Sequence, residues 1–532
     1  MSLFRYKQNL LISHGNIGLL AAGIALAVVT LSCSIGVSQP TGPFFTPPSN
    51  NVELASQTPE PVQQTQAPLL LVAESGNTED DPAASPTPEV TETSRPPLLY
   101  YAQAGDTLPV IAVRFGVEPS EITSPDPIPA TTLLNPSQLL IIPNRLANTT
   151  THEKILPDSE LVDSPSAVDF DIDAFVKQAG GYLSTYEEWL GSTNWTTGAQ
   201  IVQRIAIENS INPRILLALL EYQSGWVYGQ PTNLAVTNYP MGNFETKSKG
   251  LYQQLAWAVN QLSIGYYGWR EGLLTEIQFS DGVTARLAPE LNAGTVSLQY
   301  YLAQIYDTAG WVRALDVSQG LPALYERMFG SPWLRAYEVE PLYPPDLTQP
   351  NLVLPFFFGQ VWSYTGGPHG AWEHDGARAA LDFAPAADKP GCYDSDIWVL
   401  ASAPGLVVRS DNGVIILDLD GDGVEQTGWV LLYLHIAEKD HIEAGKWVEA
   451  GDLLGHPSCD GGQATGNHVH LARKYNGEWI PAAGPLPFVL SGWVTHAGAK
   501  PYQGSLTRNG ETITASTVGS YESRIIRDRN EP

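Results

Sequence analysis

At 532 residues the chain exceeds what one hydrophobic core organises, so roughly two to four domains are expected. Hydrophobic residues are 43% and charged residues 16%, with 48 Gly and 42 Pro, which excludes a coiled coil, a collagen and a wholly disordered protein. With 28 Lys and Arg against 56 Asp and Glu, the net charge of −28 opposes nucleic acid, whose binding rests on cations neutralising phosphates, so no nucleic-acid partner is expected.

Arg5 and Lys7 precede an apolar run over residues 17–32, and Cys33 follows it, so residues 1–33 read as an export signal. Thr30-Leu31-Ser32-Cys33 resembles a bacterial lipobox, with Thr30 where Leu, Val or Ile is usual. The resemblance implies a lipid on Cys33; an uncleaved single-span anchor is the other reading. Both place the remainder outside the cytoplasm, in the cell envelope and attached to the membrane. Beyond Cys33 only Cys392 and Cys459 remain, and in an oxidising compartment they are expected to pair.

Residues 34–97 are dominated by Pro, Thr, Ser, Glu and Gln, too polar to offset the entropy of ordering, so a disordered linker is expected. Residues 98–146 then carry a short apolar strand at Tyr100-Tyr101, a Gly105-Asp106-Thr107-Leu108 turn, a helical rhythm from Ile111 to Val117 and a closing Leu139-Leu140-Ile141-Ile142-Pro143. This order resembles a LysM module of βααβ form. The resemblance implies binding to N-acetylglucosamine-containing glycan such as peptidoglycan. Residues 147–165 are assigned to a second linker.

Between residues 166 and 343 the pattern is helical, with Ile205, Ile215, Leu216, Leu219 and Leu220 at core spacing. Three strings, at residues 212–226, Gly250-Leu251-Tyr252-Gln253 and Leu291-Asn292-Ala293-Gly294, resemble those of lytic transglycosylases. An all-α lysozyme-like domain is implied. The position of that family's catalytic Glu is held by Gln223, whose amide cannot donate the proton, and Glu221 lies about 200° around a helix from it. A carbohydrate-binding or spacing role is therefore expected, with glycan cleavage by Glu221 as the alternative.

Eight of the ten His residues fall in the last third, among short apolar segments separated by Gly, Asp and Asn turns, so residues 344–505 read as an antiparallel β-sheet domain. In a strand, His468 and His470 project to one face. Tyr433-Leu434-His435 and Thr465-Gly466-Asn467-His468-Val469-His470 match in order and spacing the lysostaphin-type (LytM-like) zinc endopeptidases, which cut peptidoglycan cross-links. That resemblance implies His470 and Asp382 as zinc ligands and His435 with His468 as the catalytic pair. Most relatives place the first ligand four residues before the Asp, where this chain has Arg378, which stays protonated and cannot bind zinc. His369, 13 residues before Asp382, matches the spacing of the beta-lytic subgroup and is chosen; His374 is the alternative.

Asp418-Leu419-Asp420-Gly421-Asp422-Gly423 resembles the front of a calcium loop, but Trp429 stands where the bidentate acid belongs, so a polar hairpin turn competes with calcium as a second ion. Residues 506–532 are assigned to a C-terminal tail. The whole reads as a multidomain α+β protein: an exported zinc metalloendopeptidase acting on peptidoglycan, or a non-catalytic peptidoglycan-binding scaffold that regulates cell-wall hydrolases.

Overall fold

A computed structural model describes residues 95–344, 346–386 and 391–529. The chain divides into two units, residues 1–74 and 75–532, and all described residues belong to the second. The export segment, Cys33 and most of the first linker lie outside the described residues.

Strand β1 (Leu98–Tyr101) pairs antiparallel with β2 (Leu139–Ile142), and helix α1 (Leu108–Phe115) packs on them. Tyr100, Ile111, Phe115, Leu140 and Ile142 close a small core of their own. The second helix of the expected βααβ order is instead one 3-10 turn, Pro119–Glu121. Pro125, Pro127 and Pro129 follow it, and a residue without an N–H cannot continue a helix. Buried Asp106 accepts hydrogen bonds from Tyr100 Oη (2.6 Å) and Arg114 Nη1 (2.8 Å). Arg114 Nη2 also donates to Trp269 O at 2.9 Å, so the small unit is docked on the helical one.

The helical unit begins earlier than its apolar rhythm suggests. Ile155, Leu156, Leu161 and Val162 lie in its core, so the linker assigned to residues 147–165 is corrected from about residue 154 onward. Buried Glu160 holds that segment down by accepting from Arg335 Nε at 2.9 Å. The unit is mainly rather than wholly helical. Hairpin β3 (Glu187–Leu190) with β4 (Asn194–Thr197) and a second one, Glu276–Gln278 with Thr284–Arg286, interrupt it. Helix α2 (Gly198–Asn209) starts at a Thr197 and Gln200 capping box. Asn212 caps α3 (Pro213–Ser224), where Pro213 fits the first turn because its missing N–H needs no partner. The long α4 (Leu251–Arg270) packs on α5 (Ala293–Ala303): a Cβ on Gly265 would stand 2.8 Å from Ser297 Cα, so the small residue permits this approach.

Among the described residues the C-terminal region builds a nine-stranded antiparallel sheet. Its strands are β5 (Val361–His369), β6 (Ala380–Pro385), β7 (Gly405–Asp411), β8 (Val414–Asp418), β9 (Trp429–Leu434), β10 (Trp447–Val448), β11 (Val469–Tyr475), β12 (Glu478–Trp479) and β17 (Arg524–Ile526). They are ordered β10-β7-β8-β9-β11-β6-β5-β17, with β12 beside β11. A second sheet holds β13 (Val489–Leu490), β14 (Trp493–Ala497), β15 (Gly504–Arg508) and β16 (Glu511–Thr514). The expected tail is thus corrected: Leu506, Ile513 and Ile525 enter the core of the sheet domain.

Side-chain alternation divides the large sheet into two buried faces. Ile415, Leu417, Leu431, Tyr433, Leu471 and Phe383 point to the core shared with the second sheet. Val414, Ile416, Val430, Leu432, Ala472 and Ala380 point to the helical unit and join its core. Polar ties fix this junction: Tyr266 Oη donates to Glu478 Oε2 (2.9 Å), Arg270 Nη2 to Glu478 Oε2 (3.1 Å) and Asp158 Oδ2 (3.0 Å), and Trp479 Nε1 to Asn209 O (3.1 Å).

Candidate metal centre

Register brings the site together across four neighbouring strands. Leu434 of β9 stands opposite His470 of β11, which stands opposite Asp382 of β6, which faces Gly366 of β5. Having no side chain at Gly366 is a requirement of this row, because a Cβ there would sit 2.3 Å from Asp382 Oδ2. His369 ends β5 on the same side. Ligand atoms of His369, Asp382 and His470 all lie within 4.8 Å of one another. His369 Nε2 is 3.0 Å from His470 Nδ1, and each is 3.3 Å from Asp382 Oδ1. His374 is exposed on the loop beyond and takes no part in this cluster.

The other half of the row comes from the end of β9. His435 adopts φ +66°, a left-handed conformation uncommon for a non-glycine residue, and turns out of the strand. Its ring centroid is 4.4 Å from that of His468, and His468 Nε2 is 3.7 Å from Asp382 Oδ1. His369, His435 and His470 are buried, while the His468 side chain keeps 16% of its surface exposed.

Each imidazole is pinned by a backbone carbonyl on its outer nitrogen. His369 Nδ1 donates to Gly367 O, His435 Nδ1 to Asp460 O and His468 Nδ1 to Gly466 O, all at 2.8 Å, and His470 Nε2 donates to Ala371 O at 2.9 Å. A carbonyl only accepts, so these contacts place the N–H outward and, in the neutral ring, leave the inner nitrogen bare. Two bare nitrogens 3.0 Å apart repel unless a proton or a cation lies between them. Asp382 Oδ1, buried beside them, has no hydrogen-bond partner among the described residues. Two nitrogens and one carboxylate oxygen are the donor set of a zinc site with a position open to water.

Electrostatics follow the same geometry. Burial penalises the charge on Asp382, but the neighbouring imidazoles, His369 first, hold its carboxyl well below the usual carboxylate range. Burial opposes the charged form of His369, yet Asp382 raises it overall, whereas burial lowers His470. His435 is pushed down to about 3 by burial and by the charges of His468 and His470, and is neutral at ordinary pH.

Several supporting parts escaped sequence reasoning. The ring of Tyr502, on the turn between β14 and β15, stacks on His369 with centroids 4.1 Å apart and planes at 21°. The four carbonyl acceptors carry no side-chain signal at all. The disulfide was legible: Cys392 is bonded to Cys459, one residue from Asp460, whose carbonyl orients His435.

The remaining candidates are engaged elsewhere. Glu221 accepts from Val227 N (2.9 Å) and Tyr228 N (3.0 Å), closing the turn after α3, and Gln223 Oε1 accepts from Tyr306 Oη at 2.7 Å. Asp418 Oδ1 accepts from the backbone N–H of Asp420 and Gly421, both at 3.2 Å, and Asp418 Oδ2 from Gly423 at 2.9 Å. Asp422 Oδ2 takes the Thr427 hydroxyl at 2.7 Å. These carboxylates knit a polar hairpin turn, and the structure gives calcium no support.

Residues 154–344 match the family model described as the N-terminal domain of LasA. Protease LasA of Pseudomonas aeruginosa strain UCBPP-PA14 is 27% identical over 301 residues, covering 52% of this chain and 65% of its own length. The protein of the same name from strain ATCC 15692 is 27% identical over 299 residues. The chain thus spans 65% of the length of these curated relatives. Among solved structures, the M23 metalloprotease pseudoalterin from the deep sea is similar at 25% identity and a TM-score of 0.27, over 32% of this chain and 96% of that one. The catalytic domain of the peptidase lysostaphin from Staphylococcus simulans is similar at 23% identity and a TM-score of 0.16, over 23% of this chain and 87% of that one.

Proposed function

We propose that this chain is an exported zinc metalloendopeptidase that hydrolyses peptide bonds in peptidoglycan. The observation that carries the proposal is the set of inward-facing ligand atoms, His369 Nε2, Asp382 Oδ1 and His470 Nδ1, on imidazoles whose outer N–H groups are already committed to carbonyls. Those three atoms would hold the ion. A zinc ion there supplies a Lewis acid for the scissile carbonyl and acidifies bound water.

His435, whose Nδ1 is committed to Asp460 O, presents its other nitrogen as a hydrogen-bond acceptor that would position the reacting water. His468, the most exposed of the four, meets substrate first and orients it. Similarity to a protein named Protease LasA over half of the chain supports peptide hydrolysis as the reaction. The resemblance of the His435 and His468–His470 strings to lysostaphin-type enzymes, together with the LysM-like βαβ unit, supports peptidoglycan as the substrate. The Cys392–Cys459 bond supports an oxidising compartment outside the cytoplasm.

The test is digestion of purified sacculi by the full chain loaded with zinc and after chelation. Release of fragments bearing new amino termini, abolished by chelation and restored by zinc, is expected. Binding of sacculi by the zinc-loaded chain without new termini would leave only a scaffold, and anhydro-sugar products would place the chemistry in the helical unit.

A further inference from the structure

The loop that enters β11 meets both imidazoles of the proposed catalytic pair. Ser458 N donates to His435 O at 2.7 Å and Ser458 Oγ to the same carbonyl at 3.2 Å, while Asp460 O accepts from His435 Nδ1 at 2.8 Å. On the other side, His468 N donates to Ser458 O at 3.4 Å. Ser458, Cys459 and Asp460 thus link the backbone of His435 to that of His468.

This segment has little rigidity of its own. Gly461, Gly462 and Gly466 follow it, and glycine loses more freedom on ordering than any other residue. Two outside ties hold it. Cys459 is bonded to Cys392. Asn467, 7% exposed, grips the residues on either side of Cys392: its N donates to Gly391 O (3.3 Å), its Oδ1 accepts from Tyr393 N (3.1 Å) and its Nδ2 donates to Tyr393 O (2.6 Å). Nδ2 also donates to Pro457 O at 3.0 Å, next to Ser458. Both amide hydrogens and the amide oxygen are therefore spent on backbone, which joins three separate stretches of chain at one buried side chain.

None of these contacts is to a proposed metal ligand. His369 and His470 are oriented by Gly367 O and Ala371 O, and Asp382 lies within β6. The two halves of the site rest on different supports.

We propose that Asn467 and the Cys392–Cys459 bond are positioning residues for His435 and His468, so that turnover can be lost while the metal is kept. The assignment rests on the catalytic pair of the proposed function. Displacing a positioned group by about 1 Å can cost about 100-fold in rate. Cys392 is exposed, so the bond is open to a reductant. A trialkylphosphine attacks one sulfur and gives up two electrons, water supplies one oxygen and two protons, and the products are the phosphine oxide and two thiols.

Initial rates on solubilised peptidoglycan, zinc content and the imidazole NMR spectrum of the histidine-labelled full chain test this together. Asn467→Ala and Cys392→Ala/Cys459→Ala should each lower kcat about tenfold or more, with KM unchanged and zinc still about one per chain. Phosphine should bring the wild-type rate down to that of the double Cys variant, reoxidation should restore it, and the double variant should not respond. The His435 Nδ1–H resonance, assigned by its loss in His435→Gln, should be protected from exchange with water in the wild type and unprotected in both variants. Residues that only stabilise the fold would lower the unfolding midpoint and leave kcat and this resonance unchanged, which overturns the proposal; so does zinc lost in step with kcat. A wild-type chain that cuts no peptide bond would remove the proposed function, and the resonance alone would then decide: protection lost in the variants upholds the positioning role, and protection retained overturns it.

Discussion

Among the described residues of the sheet domain two clusters bring three potential ligands together, and only one of these two is built to receive a cation. At Asp418, Asp420 and Asp422 the carboxylates serve their own turn, taking backbone N–H groups and the Thr427 hydroxyl, and two of the three are exposed. At His369, Asp382 and His470 all three side chains are buried and each imidazole is held by a carbonyl from behind. The contrast teaches that proximity of acids and imidazoles says little until the partners of every polar atom are counted. Carboxylates that close a turn are satisfied, whereas lone pairs that converge at a buried point suit a cation.

Substitutions can break this contrast, and the largest effects are expected in the His cluster. Asp382→Asn keeps the shape and removes the charge; zinc content should fall from about one per chain to below about a tenth, and peptide hydrolysis by about a thousandfold or more, measured by metal analysis and fragment release. His369→Ala should likewise empty the site and His374→Ala should not; metal retained in the former would reassign the first ligand.

Smaller effects come from the supporting shell. Gly366→Ala places a methyl on Asp382 Oδ2, and zinc affinity should weaken about 10- to 100-fold, the usual cost of disturbing a ligand's support. Reduction of Cys392–Cys459, which closes a loop spanning 67 residues, should lower unfolding free energy by about 2–4 kcal/mol in denaturant titration. In the acidic turn, Asp418→Ala frees three backbone donors and should cost about 1–3 kcal/mol without changing metal content. Asp420→Asn, on the exposed side, should stay within about 0.5 kcal/mol. Loss of a bound metal in either turn variant would erase the difference between the two clusters.

What was legible in the sequence follows from which forces leave a pattern. Strand alternation made His470 readable, since Leu471 and Val469 mark the opposite face. His468 lies just before β11, held by a bridge to Ser458, and its role was carried by motif rather than by strand geometry. The segment near residue 160 reads as a linker because Asp158, Ser159, Glu160 and Asp163 are polar. They are nonetheless buried, with Arg270 and Arg335 supplying the charges that make this tolerable. The last strands read as a tail because Leu506 and Ile513 each enter the core from an otherwise polar strand and Ile525 from a strand of three residues, too sparse a signal for periodicity. Tyr502 reaches His369 only through the pairing of Gly367 with the turn that carries it, a tertiary fact.

X-ray absorption at the zinc edge of the metal-loaded full chain tests the central claim most directly. A first shell of two imidazole nitrogens, one carboxylate oxygen and one solvent oxygen, lost together in Asp382→Asn, is the predicted result. A shell without imidazole, or one unchanged in Asp382→Asn, would contradict the account.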